Sequence, residues 1–288
     1  MEFAGDVVLV TGGGAGLGRS YAQLLAGRGA RVVVNDVSCA PDGRSAGGGT
    51  AQQVVDEITA AGGEAVADVH SVADPEGARA AVACALERYG RIDAVINNAG
   101  IVRAAEFHRL VADDFRAVLD VHLLGSLLVT RAAWPAMAAQ GYGRVVFTSS
   151  SIGLLGSPGQ GAYGSAKGAL VGLTRALACE GVGHGIRVNA VAPMAVTRLN
   201  EAVMSSIFGD ATEQMSPDRV APVTAYLAHR DCAVNGEVLS AAGGRVARFA
   251  VGRGPTVAKL DSPEAMRDAI ARVRETEPSR WWAEPRAR

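Results

Sequence analysis

Two short runs, Val7–Val10 (VVLV) and Arg31–Asn35 (RVVVN), are apolar without the polar alternation of a half-exposed strand. A strand apolar on both sides must be covered on both sides, so these runs constrain the chain to a mostly parallel sheet with helices packed on each face. The pattern continues down the sequence. Strands are predicted at Asp6–Val10, Arg31–Asn35, Ala65–Val69, Asp93–Asn97, Arg144–Thr148, Ile186–Val191 and Glu237–Ser240. Helices are predicted at Gly16–Gly27, Thr50–Ala61, Pro75–Tyr89, Asp113–Ala138, Tyr163–Glu180 and Asp218–His229. The expected architecture is a three-layer αβα, doubly wound parallel sheet forming one domain over residues 1–245. The Gly/Ser-rich stretch Ser38–Thr50 follows a strand and reads as a long loop. Residues 246–288 read as an extension with a helical pattern at Pro263–Thr276. It ends near Trp281–Trp282, and both a pocket cover or interface element and a loosely ordered tail fit it.

Composition removes several classes of function. With 28 basic and 29 acidic residues, the 288-residue chain has no field to draw in nucleic acid or an anionic membrane, and neither is expected as a partner. The N-terminus lacks a basic, apolar, small-residue signal pattern. The long uncharged stretch Val145–Ala166 is broken by Gly, Ser, Pro and Gln, unlike a membrane helix. Cys39, Cys84, Cys179 and Cys232 are scattered without metal-ligand spacing, so no metal site is expected, and reduced thiols in a cytoplasmic protein are.

Three local patterns carry chemistry. Gly12, Gly13, Gly14, Ala15, Gly16, Leu17 and Gly18 lie between a predicted strand and helix. Glycines there permit a sharp turn and close approach of backbone to a pyrophosphate, which then sits at the positive helix N-terminus. The spacing is G-x-x-x-G-x-G, and a tight turn alone would also explain it. Asp36 follows the second strand, where a carboxylate accepts from the adenosine ribose hydroxyls and repels a 2′-phosphate; Ala15 supplies no basic side chain, so NAD is expected over NADP. Finally, Tyr163 and Lys167 stand at i and i+4, on one helix face. A nearby ammonium favours the phenolate and makes an ordinary tyrosine a general acid/base. Of the 28 basic residues only Lys167 and Lys259 are lysines, so a lysine retained at 167 points to a compact ammonium bonding ribose hydroxyls.

Taken in order, these motifs resemble the short-chain dehydrogenase/reductase family over about residues 6–245. The resemblance rests on Thr11–Gly18, Asn97-Asn98-Ala99-Gly100, Ser150 ahead of Tyr163, Tyr163/Lys167, and Arg187–Pro193. It implies a Rossmann-type fold and nicotinamide-dependent interconversion of alcohol and ketone. By position it implies Tyr163 as proton donor or acceptor, Ser150 as orienter of the substrate oxygen, and Lys167 as the group that lowers the Tyr163 pKa and holds the nicotinamide ribose. It further implies Asn98, Ala99 and Gly100 along the cofactor channel, Asp68 and Val69 against adenine, and Pro193 with Thr197 near the carboxamide. Two residues depart from the family pattern. His122 occupies the common Asn position of the N-x-x-G segment, and reads either as a buried core histidine or as the holder of a relay water. Met194 replaces the usual Gly after Pro193, which leaves the local backbone and the Thr197 contact open.

The loop after Asp36, His122, Arg131-Ala132-Ala133-Trp134 and Pro217–Gly236 are similar to the dehydrogenase domain of peroxisomal multifunctional enzymes. That likeness implies a (3R)-hydroxyacyl-CoA thioester as the small-molecule substrate, with a hydroxysteroid or another carbonyl compound as the alternative. It also implies a homodimer or homotetramer, in keeping with apolar excess on the helices Asp113–Ala138 and Tyr163–Glu180. A non-catalytic NAD-binding scaffold is the competing class, and the set Ser150/Tyr163/Lys167 argues against it.

Overall fold

The computed structural model describes residues 1–44, 48–197, 200, 209, 214–252, 255–257 and 262–274. Eight strands form one sheet: β1 Val7–Thr11, β2 Arg31–Asn35, β3 Glu64–Asp68, β4 Ala94–Asn97, β5 Gly143–Thr148, β6 Ile186–Met194, β7 Val238–Ala242 and β8 Arg245–Phe249. Their order is β3-β2-β1-β4-β5-β6-β7-β8, parallel throughout except for the β7–β8 pair. The order reverses between β1 and β4, and a doubly wound sheet opens its ligand crevice at such a point, outside the carboxyl ends of the strands.

Alternate residues of the buried runs divide between two cores. Val8, Val10, Val32 and Val34 pack with Tyr21 and Leu25 of α1 (Gly16–Ala26). Val7, Leu9 and Val33 face the other way, with Val82 of α3 (Pro75–Tyr89), the next α-helix after α2 (Thr50–Ala60). That second core continues through Met137 and Leu170. The helix predicted at Asp113–Ala138 is present as α4 (Ala112–Leu119) and α5 (Ser126–Gln140), joined by a π-helical turn, Asp120–Gly125. The run Ala112–Gln140 is long and apolar enough to cross a membrane by length and composition, but it packs against α3, β4 and β5 as one wall of the fold. After β5 come the short α6 (Ser151–Leu155) and the long α7 (Gly161–Gly181).

Several boundaries differ from the sequence-based expectation. Asp6 precedes β1, because its amide closes a turn onto the Phe3 carbonyl at 2.9 Å, and its buried carboxylate is paired with Arg230 at 2.7 Å. Val69 falls outside β3 and is exposed. The region expected to be one helix at Asp218–His229 is a 3₁₀ turn, Pro217–Arg219, followed by α8 (Ala221–Ala228). The sheet also runs past residue 245 into the antiparallel β8. Gly243 and Gly244 both have positive φ, +54° and +77°, as a two-residue hairpin between twisted strands requires. Glu237 fastens that hairpin through paired bonds to Arg248 at 2.6 and 2.7 Å. In the extension, α9 covers Pro263–Val273, while Thr276 and Trp281–Trp282 lie outside the described residues.

Candidate active site

The glycine turn is built with no room for side chains. Gly12 has φ +63°, and a Cβ there would stand 2.8 Å from the Cα of Ala99. A Cβ on Gly18 would stand 2.0 Å from the carbonyl oxygen of Gly12. Asn98 stitches the two loops together: its Nδ2 donates to the carbonyls of Thr11 and Gly12, both at 3.1 Å. The amides of Asn98 and Ala99 donate to the Thr11 hydroxyl at 3.0 and 3.1 Å. Ala15 opens α1 with no side-chain cap, so the first-turn amides of Gly16, Leu17 and Gly18 are left to an external acceptor. A bare helix N-terminus above a floor that admits no Cβ fits a pyrophosphate.

Asp36 lies beside this turn, but its carboxylate is already engaged. It accepts from the Gly14 amide at 3.0 Å, the Ser38 amide at 2.7 Å and the Thr50 hydroxyl at 3.1 Å. Ser38 and Thr50 were not singled out in the sequence, since the three groups meet only when the long loop folds back. A carboxylate offers about four acceptor sites, so one remains for a ribose hydroxyl. Asp68 is engaged to the same degree: its oxygens take Asn35 Nδ2 at 2.5 Å, His70 Nδ1 at 2.6 Å and the His70 amide at 3.3 Å, which again leaves one acceptor site of about four. Val69, the other predicted adenine contact, presents an open surface at 64% exposure, and His70 is a partner of Asp68 that sequence reading missed.

Met194 does not disturb the backbone. It ends β6 in regular pairing with Ala242, one residue after Pro193 pairs with Ala241. Thr197 is then brought over the glycine turn, where its methyl would meet a Cβ on Gly16 at 3.4 Å. Asn200 holds it there, accepting from the Thr197 amide at 2.8 Å and hydroxyl at 3.2 Å.

Ser150, Tyr163 and Lys167 converge at the carboxyl end of β5. Ser150 caps α6 by accepting from the Ile152 amide at 3.2 Å, and its hydroxyl lies near enough to the Tyr163 phenol to favour its ionised form. Burial pushes the phenol up, and the Ser150 hydroxyl partly opposes this. Lys167 is 3% exposed, and its ammonium donates to the Thr148 carbonyl. It stands 5.6 Å over the centre of the Tyr163 ring. Burial lowers Lys167 to about 7. The sequence-based expectation that the ammonium sets the phenol's pKa is thus modified: here desolvation is the dominant influence on both groups.

The Lys167 shift has a direct consequence for stability. An unfolded lysine titrates near 10.4. Between about pH 7 and that value the unfolded chain binds one more proton than the folded one. The cost of burying Lys167 is therefore complete below about pH 7 and fades as pH rises. Lys167→Met is expected to raise the urea midpoint most at neutral pH and below, with the gain shrinking toward pH 10. A gain constant across that range would show that Lys167 keeps an ordinary pKa.

His122 sits in the π-turn at 3% exposure. Its Nε2 lies 3.1 Å from the Ile101 amide nitrogen and 2.8 Å from the Ile101 carbonyl oxygen. Its ring meets Tyr163 edge-on at 5.3 Å. Among the described residues, Nδ1 has no partner. Burial, and secondarily Lys167, hold the imidazole well below its ordinary pKa and hence neutral. The Ser126 hydroxyl donates at 2.7 Å to the His122 carbonyl freed by the π-turn.

Comparison with known proteins agrees with this geometry. The family model for short chain dehydrogenase matches residues 6–205. The chain is 46% identical over 266 residues to a Mycobacterium tuberculosis protein named as a short-chain type dehydrogenase/reductase, Rv0148, spanning 92% of each. It is 41% identical over 274 residues to peroxisomal multifunctional enzyme A of Dictyostelium discoideum, covering 95% of this chain and 61% of that protein. Among solved structures, a short chain dehydrogenase from Mycobacterium avium matches with a TM-score of 0.83 and 40% identity, over 96% of this chain and 99% of that one. Full-length peroxisomal multifunctional enzyme type 2 from Drosophila melanogaster matches with a TM-score of 0.78 and 37% identity, over 98% of this chain and 47% of that one.

Proposed function

The chain belongs to the short-chain dehydrogenase family, and on that premise we propose that it oxidises the secondary alcohol of a (3R)-hydroxyacyl-CoA thioester with NAD. An oxidoreductase acting on CH–OH groups is the coarser statement that the family carries. The observation that supports the mechanism is the convergence of the Ser150 hydroxyl on the Tyr163 phenol, with buried Lys167 one helical turn away. The nicotinamide, when bound, supplies the hydride acceptor. The protein's own groups do the rest. Ser150 orients the carbinol oxygen, Tyr163 Oη in its phenolate form takes the hydroxyl proton and becomes the phenol, and Lys167 Nζ, already a donor to Thr148, holds the nicotinamide ribose. Gly16, Leu17 and Gly18 would receive the pyrophosphate, and Asp36 the adenosine ribose.

The thioester reading draws on similarity to proteins named peroxisomal multifunctional enzymes, of which this chain matches one part. Its test is nicotinamide reduction with matched (3R)- and (3S)-hydroxyacyl-CoA and a hydroxysteroid. Turnover of the R thioester alone is expected. Turnover of the steroid alone would keep the chemistry and replace the substrate, and silence on all three would leave a nucleotide-binding scaffold.

The NAD reading rests on Asp36. Asp36→Ala is expected to narrow the ratio of kcat/KM for NAD over NADP by roughly tenfold or more, because a carboxylate facing a 2′-phosphate is removed. An unchanged ratio would mean that the ribose lies elsewhere. A homodimer or homotetramer in the cytoplasm completes the proposal.

A further inference from the structure

The segment Gly100–Arg103, which follows Asn98 and Ala99 out of β4, is fastened from two sides. One side is the helix that carries the π-turn. The His122 imidazole occupies the space above Gly100, where a Cβ would lie 2.3 Å from its Cε1, and its Nε2 meets both polar groups of the Ile101 backbone. Farther up the same helix run, Asp114 takes a bond from Arg103 Nη1 at 2.8 Å. The other side is the loop that begins at Asp36. The Val102 amide donates to the Pro41 carbonyl at 2.9 Å, and Arg103 Nε donates to the Asp42 carbonyl at 2.9 Å. Ile101 lies under Gly43, where a Cβ would stand 3.0 Å from its Cδ1. Four residues thus touch the loop leaving Asp36 on one flank and, through His122, the ring edge of Tyr163 on the other.

Resting on the nucleotide-binding reading above, we propose that Gly100–Arg103 is a positioning strap that registers the Asp36 loop against Tyr163, with His122 and Arg103 as its two fasteners. The imidazole is committed to this task by its contacts. Nε2 is occupied by the Ile101 backbone, and that contact fixes the ring against the strap. Arg103 touches neither catalytic side chain. It joins Asp42 of the loop to Asp114 of the helix, so its removal loosens the loop without altering the chemistry at Tyr163.

The test is a steric double-mutant cycle read by NADH fluorescence, which needs no substrate. Gly100→Ala alone is expected to weaken NADH binding about tenfold, because its methyl cannot coexist with His122. In a His122→Ala background, where the methyl has space, the same change is expected to cost less than about threefold. Arg103→Ala is expected to weaken NADH about threefold or more with its melting temperature close to wild type, and Asp114→Asn, which keeps an acceptor, to stay nearer wild type than Asp114→Ala. An equal cost of Gly100→Ala in both backgrounds, or Arg103→Ala binding NADH as wild type does, would overturn the strap. Silence on every substrate with NADH still bound would overturn the reaction reading alone. A wild-type protein that binds neither NADH nor NADPH would overturn the cofactor reading and the strap with it.

Discussion

Tyr163→Phe is expected to lower kcat by about 10²- to 10⁴-fold while leaving the NAD dissociation constant within about twofold. The substitution removes one oxygen from a ring that packs against Ile101, Val118 and Ala162, and phenylalanine fills that space without it. The Ser150 hydroxyl keeps its bond from the Ile152 amide, so α6 stays capped. Nucleotide contacts through the glycine turn are untouched. Steady-state kinetics together with a binding titration separate the two effects. Turnover near wild type would remove Tyr163 from the proton transfer.

Gly18→Ala is expected to abolish nucleotide binding and to lower stability, although it adds only a methyl. That methyl would stand 2.0 Å from the Gly12 carbonyl oxygen and 2.7 Å from Asn98 Nδ2. Neither neighbour is free to retreat: the Gly12 carbonyl already accepts from Asn98 Nδ2, which also bonds Thr11. Relief therefore requires α1 to tilt away from the turn, which removes the amides of Gly16 to Gly18 from the pyrophosphate position. Gly172→Ala is the matched control. Nothing lies within 4 Å of its Cβ position on α7. There the change is expected to stabilise by roughly 0.5–1 kcal/mol, because alanine in a helix interior loses less chain entropy than glycine. Melting temperatures and NADH titrations of the two variants check the contrast. Equal behaviour would mean that the close crossing of α1 over Gly12 is not obligatory.

The sheet was legible because its chemistry is local. VVLV and RVVVN can be buried on both faces and little else, and the helix Pro75–Tyr89 was bounded to the residue by Asp74, whose side chain caps it, and by Gly90 at φ +74°. The edge strand β8 was not read, because Arg245 to Arg248 are exposed and offer no buried face. Its signal was the Gly243-Gly244 pair. The π-turn at His122 had no local signature either. An i→i+5 turn is poor in isolation, and this one is held by contacts from Ser126 and from Ile101, twenty-one residues earlier in the chain.

The site divides in the same way. Gly12, Asp36, Ser150, Tyr163 and Lys167 stand in short motifs whose spacing carries their chemistry, whereas the groups that tune them are remote. Thr50 and Ser38, twelve positions apart in the chain, meet at Asp36 through the 2.9 Å contact between their hydroxyls. The pKa of Lys167 is set by burial, which no spacing reveals. The bonds that Asn35 and His70 make to the Asp68 carboxylate are of the same kind, since no spacing in the motif announces them.

The most direct measurement of the central claim follows the hydride itself. A (3R)-hydroxyacyl-CoA carrying deuterium on its carbinol carbon, mixed with NAD and the enzyme, is predicted to yield the 3-oxoacyl thioester and NADH that bears the label at C4 of the nicotinamide. Recovery of unlabelled NADH alongside the oxo product would contradict direct hydride transfer at the Ser150–Tyr163–Lys167 site, and a substrate that keeps its deuterium while wild-type protein binds NAD would contradict the thioester as its hydride donor.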